Sequence, residues 1–409
     1  MVIFLTVLLL VCVLGVLHTY LLYPWWVTRG KGSHAHFQAR SQVPSPDDNS
    51  RPGSRWPPVA VLMAVHNEAT VLEQKLRTLV EQEYPGPLTI HVGSDNSSDA
   101  TNDILRDWAA REPRLQPVYF TSRQGKPGIV NQLAAALPPH PATVLLLTDA
   151  SVMLRPNVVT ELIRPMIADP SVGVVDATMV QTGGRASGIG RAEERYISRE
   201  VAVKRAEGRR WGYMIGPFGG CWALRATAFR PVPDNFLVDD FYLCLAAYEQ
   251  GFHGLSSPTA VVEEAVGQTI GGEFRRKVRI GSGNWQNLVR FRRLWWPVCR
   301  NELSFAFFSH KVLRWWTPFL LLIGAVCVVL LLLTLGPESN YWVRLLLLLP
   351  AALLGGLAML DLLLSTVGLH WRPARTVRYF LAMNAALLVG FWRYLTGISS
   401  NVWQPTLRE

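Results

Sequence analysis

Between residues 59 and 240, apolar runs end in acidic or small polar residues at four separate places. The segments are Val-His-Asn-Glu (65–68), Gly-Ser-Asp-Asn-Ser-Ser-Asp-Ala-Thr (93–101), Leu-Leu-Thr-Asp-Ala-Ser (146–151) and Val-Asp-Asp (238–240). Short apolar runs bounded by turn-forming residues are read as buried strands. Strands alternating with helices build a mostly parallel sheet covered on both faces. In such α/β sheets ligands bind outside the carboxyl ends of the strands. Four polar run-ends in one domain therefore point to one pocket, which packing alone does not require.

The run boundaries predict strands over Val59–Val65, Leu88–Val92, Leu115–Phe120, Ala142–Leu147 and Val172–Val180. Helices are expected over 69–82, from near Asp99, over 126–137 and over Phe241–Gln250. No internal repeat of solenoid period is present.

The 409 residues exceed one compact unit. Only 17% are charged, a share that fits partial immersion in lipid. Residues 1–28 hold no Asp, Glu, Lys or Arg, and no basic start or small-residue cleavage site marks a signal peptide. We read a transmembrane anchor over 1–28, then a Ser-, Pro- and Arg-containing linker over 29–58. Arg29, Lys31 and Arg40 place the following domain, 59–268, in the cytosol. Residues 269–312 are basic and aromatic and read as interfacial amphipathic helices. Membrane helices are expected over 313–400, with spans near 315–335 and 342–366. The last apolar run, between Arg378 and Arg393, has 14 residues. At 1.5 Å per residue that is about 21 Å, short of a ~30 Å hydrocarbon core. It either crosses with snorkelling arginines or lies in the interface. The tail, 401–409, is expected in the cytosol.

The net charge of +10 needs an anionic partner. No nucleic-acid motif is present and the basic residues flank apolar segments, so the lipid bilayer and a phosphorylated substrate are the partners expected. The five cysteines, Cys12, Cys221, Cys244, Cys299 and Cys327, form no CxxC and no disulfide or zinc pattern.

Asn67, Glu68 and Asp95 stand at neighbouring strand ends, where such groups bind an imide edge and ribose hydroxyls. Asp95 and Asp99 equally fit a turn and a helix cap. In Ser-Arg-Gln-Gly-Lys-Pro (122–127), Gly125-Lys126 at a helix start can hold phosphate or stabilise a ribose contact. Asp149 can bind a divalent cation bridging a diphosphate, since Mg²⁺ uses one or two carboxylates plus substrate phosphates; it also fits a turn. Asp239 and Asp240 open a helix, as dipole partners or as a general base. Arg276 and Arg279 can neutralise a leaving diphosphate or a lipid headgroup.

With these residues the chain resembles the membrane-integrated family 2 glycosyltransferases, the group of cellulose, hyaluronan and poly-N-acetylglucosamine synthases and ceramide glucosyltransferase, over about 59–310. The resemblance implies a GT-A nucleotide-sugar-binding domain. Its donor-binding residues would be Asn67, Glu68, Asp95, Lys126, Asp149, Arg276 and Arg279. Asp240 matches the last acid of the TED-like base motif, with Gly219, Gly220, Cys221 and Asp239 on the acceptor side. Asp149 would carry Mg²⁺ or Mn²⁺. Ser151 replaces the second Asp of DxD, and Ile280 replaces the Trp of the [Q/R]xxRW motif. These departures count against a processive polymerase.

The expectation is thus an inverting, metal-dependent transfer of a sugar, from a UDP-sugar, to a lipid or polysaccharide hydroxyl, at a plasma or inner membrane. The alternatives are a processive synthase working with partner subunits and a non-catalytic membrane subunit with a decayed transferase fold.

Overall fold

The computed structural model of the chain describes residues 1–29, 56–138, 140–182, 190–265, 270–336, 340–369, 371–398 and 401–402. Most of the expected linker and the tail residues Trp403, Leu407 and Arg408 lie outside them. In chain order the helices are α1 (Val2–Leu17), α2 (Tyr23–Arg29), α3 (Ala69–Val80), α4 (Thr101–Arg111), α5 (Gly125–Ala135), α6 (Val158–Ala168), α7 (Gly190–Trp211) and α8 (Asp239–Glu249). They continue with α9 (Ile270–Arg290), α10 (Arg292–Trp295), α11 (Glu302–Phe307), α12 (Leu313–Leu335), α13 (Tyr341–Thr366) and α14 (Arg372–Thr396). The strands are β1 (Val59–Val65), β2 (Leu88–Asp95), β3 (Leu115–Phe120), β4 (Val144–Thr148), β5 (Val152–Leu154), β6 (Val172–Thr182), β7 (Cys221–Arg225) and β8 (His253–Ala265).

The chain divides into two compact units. One holds residues 30–184, 196–268 and 398–409. Its eight strands form one sheet in the order β3-β2-β1-β4-β7-β6-β8-β5. β3, β2, β1 and β4 run parallel, and β7 runs antiparallel between β4 and β6. The apolar strands are covered on both faces, and Val61, Met63, Ile90, Val92 and Leu146 pack with Leu72, Leu76 and Leu79 of α3 in one core. Gly93 lets α5 approach β2, because a Cβ there would overlap Ile129. This is the GT-A-like α/β fold expected. β5, β7 and β8 are additional to the strands read from the sequence.

The other unit holds residues 1–29, 185–195 and 269–397. Three of its helical stretches, Val2–Arg29, Glu302–Leu335 and Tyr341–Thr366, are long and apolar enough to cross a membrane. α1 packs along α12, where Gly15 meets Leu320. α9 lies against α14 with backbone close to backbone: a Cβ on Gly390 would sit 2.8 Å from the Val278 carbonyl oxygen. Asp361 of α13 is fully buried, 2.9 Å from Arg378 and 3.7 Å from Arg375 of α14.

Candidate active site

β1 lies between β2 and β4. From β1 the chain moves through α3 to β2 and β3, then returns to place β4 on the other side. The loops after β1 and β4 thus diverge, and a crevice opens between them at the switch point. Asn67, in the loop after β1, takes a φ of +52°, which Asn tolerates better than bulkier residues. Its Oδ1 accepts the Ser98 amide at 2.8 Å. The Glu68 amide donates to Thr101 Oγ1 at 2.9 Å. Asp99 accepts the amides of both Ala69 and Thr101, at 3.1 and 3.0 Å, and so joins the starts of α3 and α4. Burial opposes its charge, but the bonds from Thr101 and Ala69 prevail and hold its carboxyl below the usual range. Asp99 thus bonds the first amide of each helix from one residue ahead of the α4 N-cap, Ala100.

Asp95 is fully buried, and its carboxylate organises the loop between β3 and α5. It accepts the amides of Gln124 and Gly125 at 2.6 and 3.1 Å and Arg123 Nε at 3.1 Å. Three of about four lone-pair positions are thereby taken. His66 completes the arrangement: Nδ1 donates to the Asp95 carbonyl at 2.8 Å and Nε2 accepts from Arg123 Nη1 at 2.7 Å. Neither His66 nor Arg123 is among the residues expected from the sequence, although His66 stands inside the 65–68 segment and Arg123 two residues before Gly125.

Across the crevice Lys126 gathers the acids. Its Nζ lies 2.7 Å from Asp149 Oδ1 and 3.9 Å from Asp239 Oδ2. Burial disfavours the ammonium, but Asp149, Asp239 and Asp240 outweigh it and raise the lysine above its ordinary range. Asp240 is pushed up to about 7, first by burial and then by Asp239, against the opposing pull of Lys126. Asp239 is 6% exposed and its Oδ2 has no hydrogen-bond partner. Asp149, Lys126, Asp239 and Asp240, expected from three distant segments, thus share one electrostatic cluster.

The floor of this cluster joins Gly219, Gly220 and Cys221, expected on the acceptor side, to Lys75, Thr148 and Val152, which are not among the site residues expected from the sequence. Lys75 of α3 is 0% exposed and donates to Thr148 Oγ1 at 2.7 Å and to the Val152 carbonyl at 2.5 Å. Thr148 Oγ1 and the Asp149 amide both donate to the Gly220 carbonyl, at 2.9 and 3.0 Å. Burial lowers Lys75 to about 8, with Cys221 and Asp149 pulling the other way. Gly219 has φ +82°, and a Cβ there would overlap Asp240 Oδ2, so only glycine lets this backbone lie on that carboxylate. Cys221 is 1% exposed, inside the core, its thiol pushed up to about 12 by burial. The loop before Gly219 hangs on a buried pair: Lys204 Nζ meets Asp176 Oδ2 at 2.5 Å, while Asp176 Oδ1 accepts the Phe218 amide at 3.2 Å.

Outside the β3–α5 loop a cleft of about 570 Å³ is lined by Arg123, Gln124, Asn131, Asn235 and Asn401, among others. Asn401 reaches it from the chain's far end: its side chain fills the space that a Cβ on Gly125 would take, and its Nδ2 donates to the Asp234 carbonyl. Arg276 and Arg279 belong to the other unit, on α9, with Arg276 exposed and Arg279 half-buried. Trp285 of the same helix is buried in an aromatic group, 4.7 Å from the Phe391 ring and 5.5 Å from that of Trp316.

A parallel switch point with this polar mouth, extended by β7, β6 and β8, is a GT-A-like arrangement. Residues 60–231 match the family pattern "Glycosyl transferase family 2", and the chain carries a domain of that family. It is 25% identical over 324 residues to "Probable glycosyltransferase YdaM" of Bacillus subtilis, covering 76% of this chain and 74% of that protein. It is 25% identical over 280 residues to an N-acetylglucosaminyltransferase of Mesorhizobium japonicum, covering 64% of this chain and 65% of the relative. Among solved structures it resembles the mannosyltransferase PcManGT from Pyrobaculum calidifontis in complex with GDP-Man and Mn²⁺. That match has TM-score 0.66 and 21% identity, over 96% of this chain and 99% of the other.

Proposed function

We propose that the chain is an inverting glycosyltransferase, moving a sugar from a nucleotide diphosphate donor, a UDP-sugar, to a hydroxyl of a lipid or glycan at the membrane. The observation that carries this is the cluster of Asp149, Lys126, Asp239 and Asp240 at the mouth of the switch point.

Asn67, Glu68 and the loop held by Asp95 would cradle the nucleoside, and Lys126 would face the diphosphate. Asp240 takes the proton of the acceptor hydroxyl as that oxygen attacks the anomeric carbon. The bond from that carbon to the diphosphate oxygen breaks on the opposite face, so configuration inverts. A carboxylate raised to about 7 is a stronger base than an ordinary Asp and still largely ionised above neutrality. A divalent cation, Mg²⁺ or Mn²⁺, would supply positive charge to the diphosphate oxygens. The hard carboxylate oxygens present fit such an ion: Asp149 spends one oxygen on Lys126, and its side chain is 42% exposed. Arg276 and Arg279 would neutralise the leaving diphosphate, a role that rests on their sequence motif.

The names of relatives support both acceptor classes: a poly-beta-1,6-N-acetyl-D-glucosamine synthase of Staphylococcus epidermidis and a beta-monoglucosyldiacylglycerol synthase of Trichormus variabilis. Arg29 after the first span, and Arg372, Arg375 and Arg378 after the third, support a cytosolic catalytic face.

The test incubates membranes containing the chain with a panel of labelled nucleotide sugars. Transfer should occur from a UDP-sugar and vanish in Asp240→Asn. Label in organic solvent identifies a lipid acceptor, and label in polymer a glycan. No transfer from any donor overturns the reading.

A further inference from the structure

The Asp149–Val152 turn presents only one carboxylate of the motif that carries it, because its third residue is Ser151. The turn is closed by the Val152 amide donating to the Asp149 carbonyl at 3.3 Å. Val152 then opens β5, which pairs antiparallel with β8, and the residue directly opposite Val152 is Glu264. Directly opposed residues carry their side chains on the same face of the sheet. Val152 faces Gly220, whose carbonyl holds the Asp149 amide. Glu264 is thus brought beside the same turn, and its Oε1 lies 3.5 Å from Ser151 Oγ. Ser151 Oγ donates to it across that spacing, at the long end for a hydroxyl–carboxylate hydrogen bond. Its neighbour Glu263 points the other way and is bound to Arg155, at 2.9 and 3.0 Å.

A second observation comes from the charge of the cluster. Asp149, Asp239 and Asp240 gather around the ammonium of Lys126, and Asp149 also interacts with that of Lys75. Within it, Asp239 Oδ2 is buried without a hydrogen-bond donor. A buried carboxylate oxygen left in this state costs roughly 1–3 kcal/mol or more, so native sites seldom leave one without a ligand to meet it. Among the described residues, three carboxylates here face two ammonium groups, and burial lowers one of these, Lys75, to about 8.

We infer that Glu264, reaching across from β8, supplies the second carboxylate of a divalent-cation site shared with Asp149, in place of the acid absent at residue 151. The inference rests on the donor-diphosphate reading of this cluster and adds the cation's second protein ligand to it. Mg²⁺ and Mn²⁺ favour hard oxygen ligands, and a serine hydroxyl is a weak one beside a carboxylate. Glutamate is one methylene longer than aspartate, which suits a ligand delivered from the adjoining strand.

The experiment measures Mn²⁺ binding by the full chain in detergent, from the loss of the free-ion electron paramagnetic resonance signal, with UDP saturating. Glu264→Gln should weaken Mn²⁺ binding by about tenfold or more. Adding Ser151→Asp to that variant should recover most of the loss. Glu263→Gln should leave binding unchanged. Glu264→Asp, which keeps the charge but withdraws it, should fall between wild type and Glu264→Gln and covers the case in which the Gln variant does not fold. Mn²⁺ binding in Glu264→Gln within twofold of wild type overturns the assignment alone. A wild-type chain that binds UDP but no Mn²⁺ overturns the cation site as a whole.

Discussion

A carboxylate serves as a proton acceptor only above its own pKa. Asp240 is raised to about 7, chiefly by burial and by Asp239, so in the free enzyme it is increasingly protonated below neutrality. The pH profile of kcat/KM should therefore carry an acid limb with its midpoint near 7, losing about tenfold per unit below it. Removing the opposing cation in Lys126→Met should move that midpoint upward. A profile flat down to pH 5 would remove Asp240 from the role of base. Lys75 makes a different claim. Its hydrogen bonds to Thr148 and Val152 fix the strand end that presents Asp149. Lys75→Met leaves both acceptors short of a donor and should cost about 1–3 kcal/mol of stability. It should also weaken UDP binding, both read from thermal unfolding with and without UDP. Wild-type melting together with wild-type UDP affinity would sink this role. The acids were legible because a carboxylate closing an apolar run is conspicuous. Lys75 was not, since a lysine within Leu-Glu-Gln-Lys-Leu-Arg looks like an ordinary solvated helix residue. Only the arrival of β4 beneath α3 buries it.

At the scale of elements, β1 and β3 were readable to the residue, because a chain break in polarity marks both ends of each run. β5 has three residues, too few for any period to register. β7, Cys-Trp-Ala-Leu-Arg, is a strand because β4 and β6 flank it on both sides. β8 contains Pro258 and a polar Ser-Ser-Pro-Thr stretch, and its pairing with β6 shifts register between Asp176 and Thr178. Such an interrupted strand is specified by its neighbours more than by its own pattern. The crossing of α9 and α14 was equally silent, since it depends on two glycines, Gly281 and Gly390, rather than on any apolar stripe. Gly390→Val should force these helices apart, because the atoms in the way, the Val278 carbonyl oxygen and the Ser282 amide, are backbone and cannot swing aside. A loss of about 1–3 kcal/mol is expected, read as a lower melting temperature in detergent. Gly355→Ala in α13 is the contrast: nothing lies within 4 Å of its Cβ, so it should be neutral or slightly stabilising. Equal melting of the two variants would show that the crossing is not close-packed.

For the whole molecule, the positive-inside rule underlies the proposed orientation, which can be tested directly. In a background lacking the five native cysteines, Tyr341→Cys should be labelled by an impermeant thiol reagent on intact cells. Trp371→Cys should be labelled only after permeabilisation. The reverse pattern would invert the proposed orientation. The transferase unit is discontinuous along the chain, running over 30–184 and 196–268 and ending with 398–409. Asn401 is the part of that last segment seated on Gly125, with its amide on the Asp234 carbonyl. In the order of synthesis, α12, α13 and α14 all precede it. A ribosome making this chain must therefore deliver every apolar helix before the start of α5 can receive its last contact. A nascent chain that has not yet emerged as far as residue 401 therefore leaves Gly125 and the Asp234 carbonyl without this contact, however complete its eight-stranded sheet.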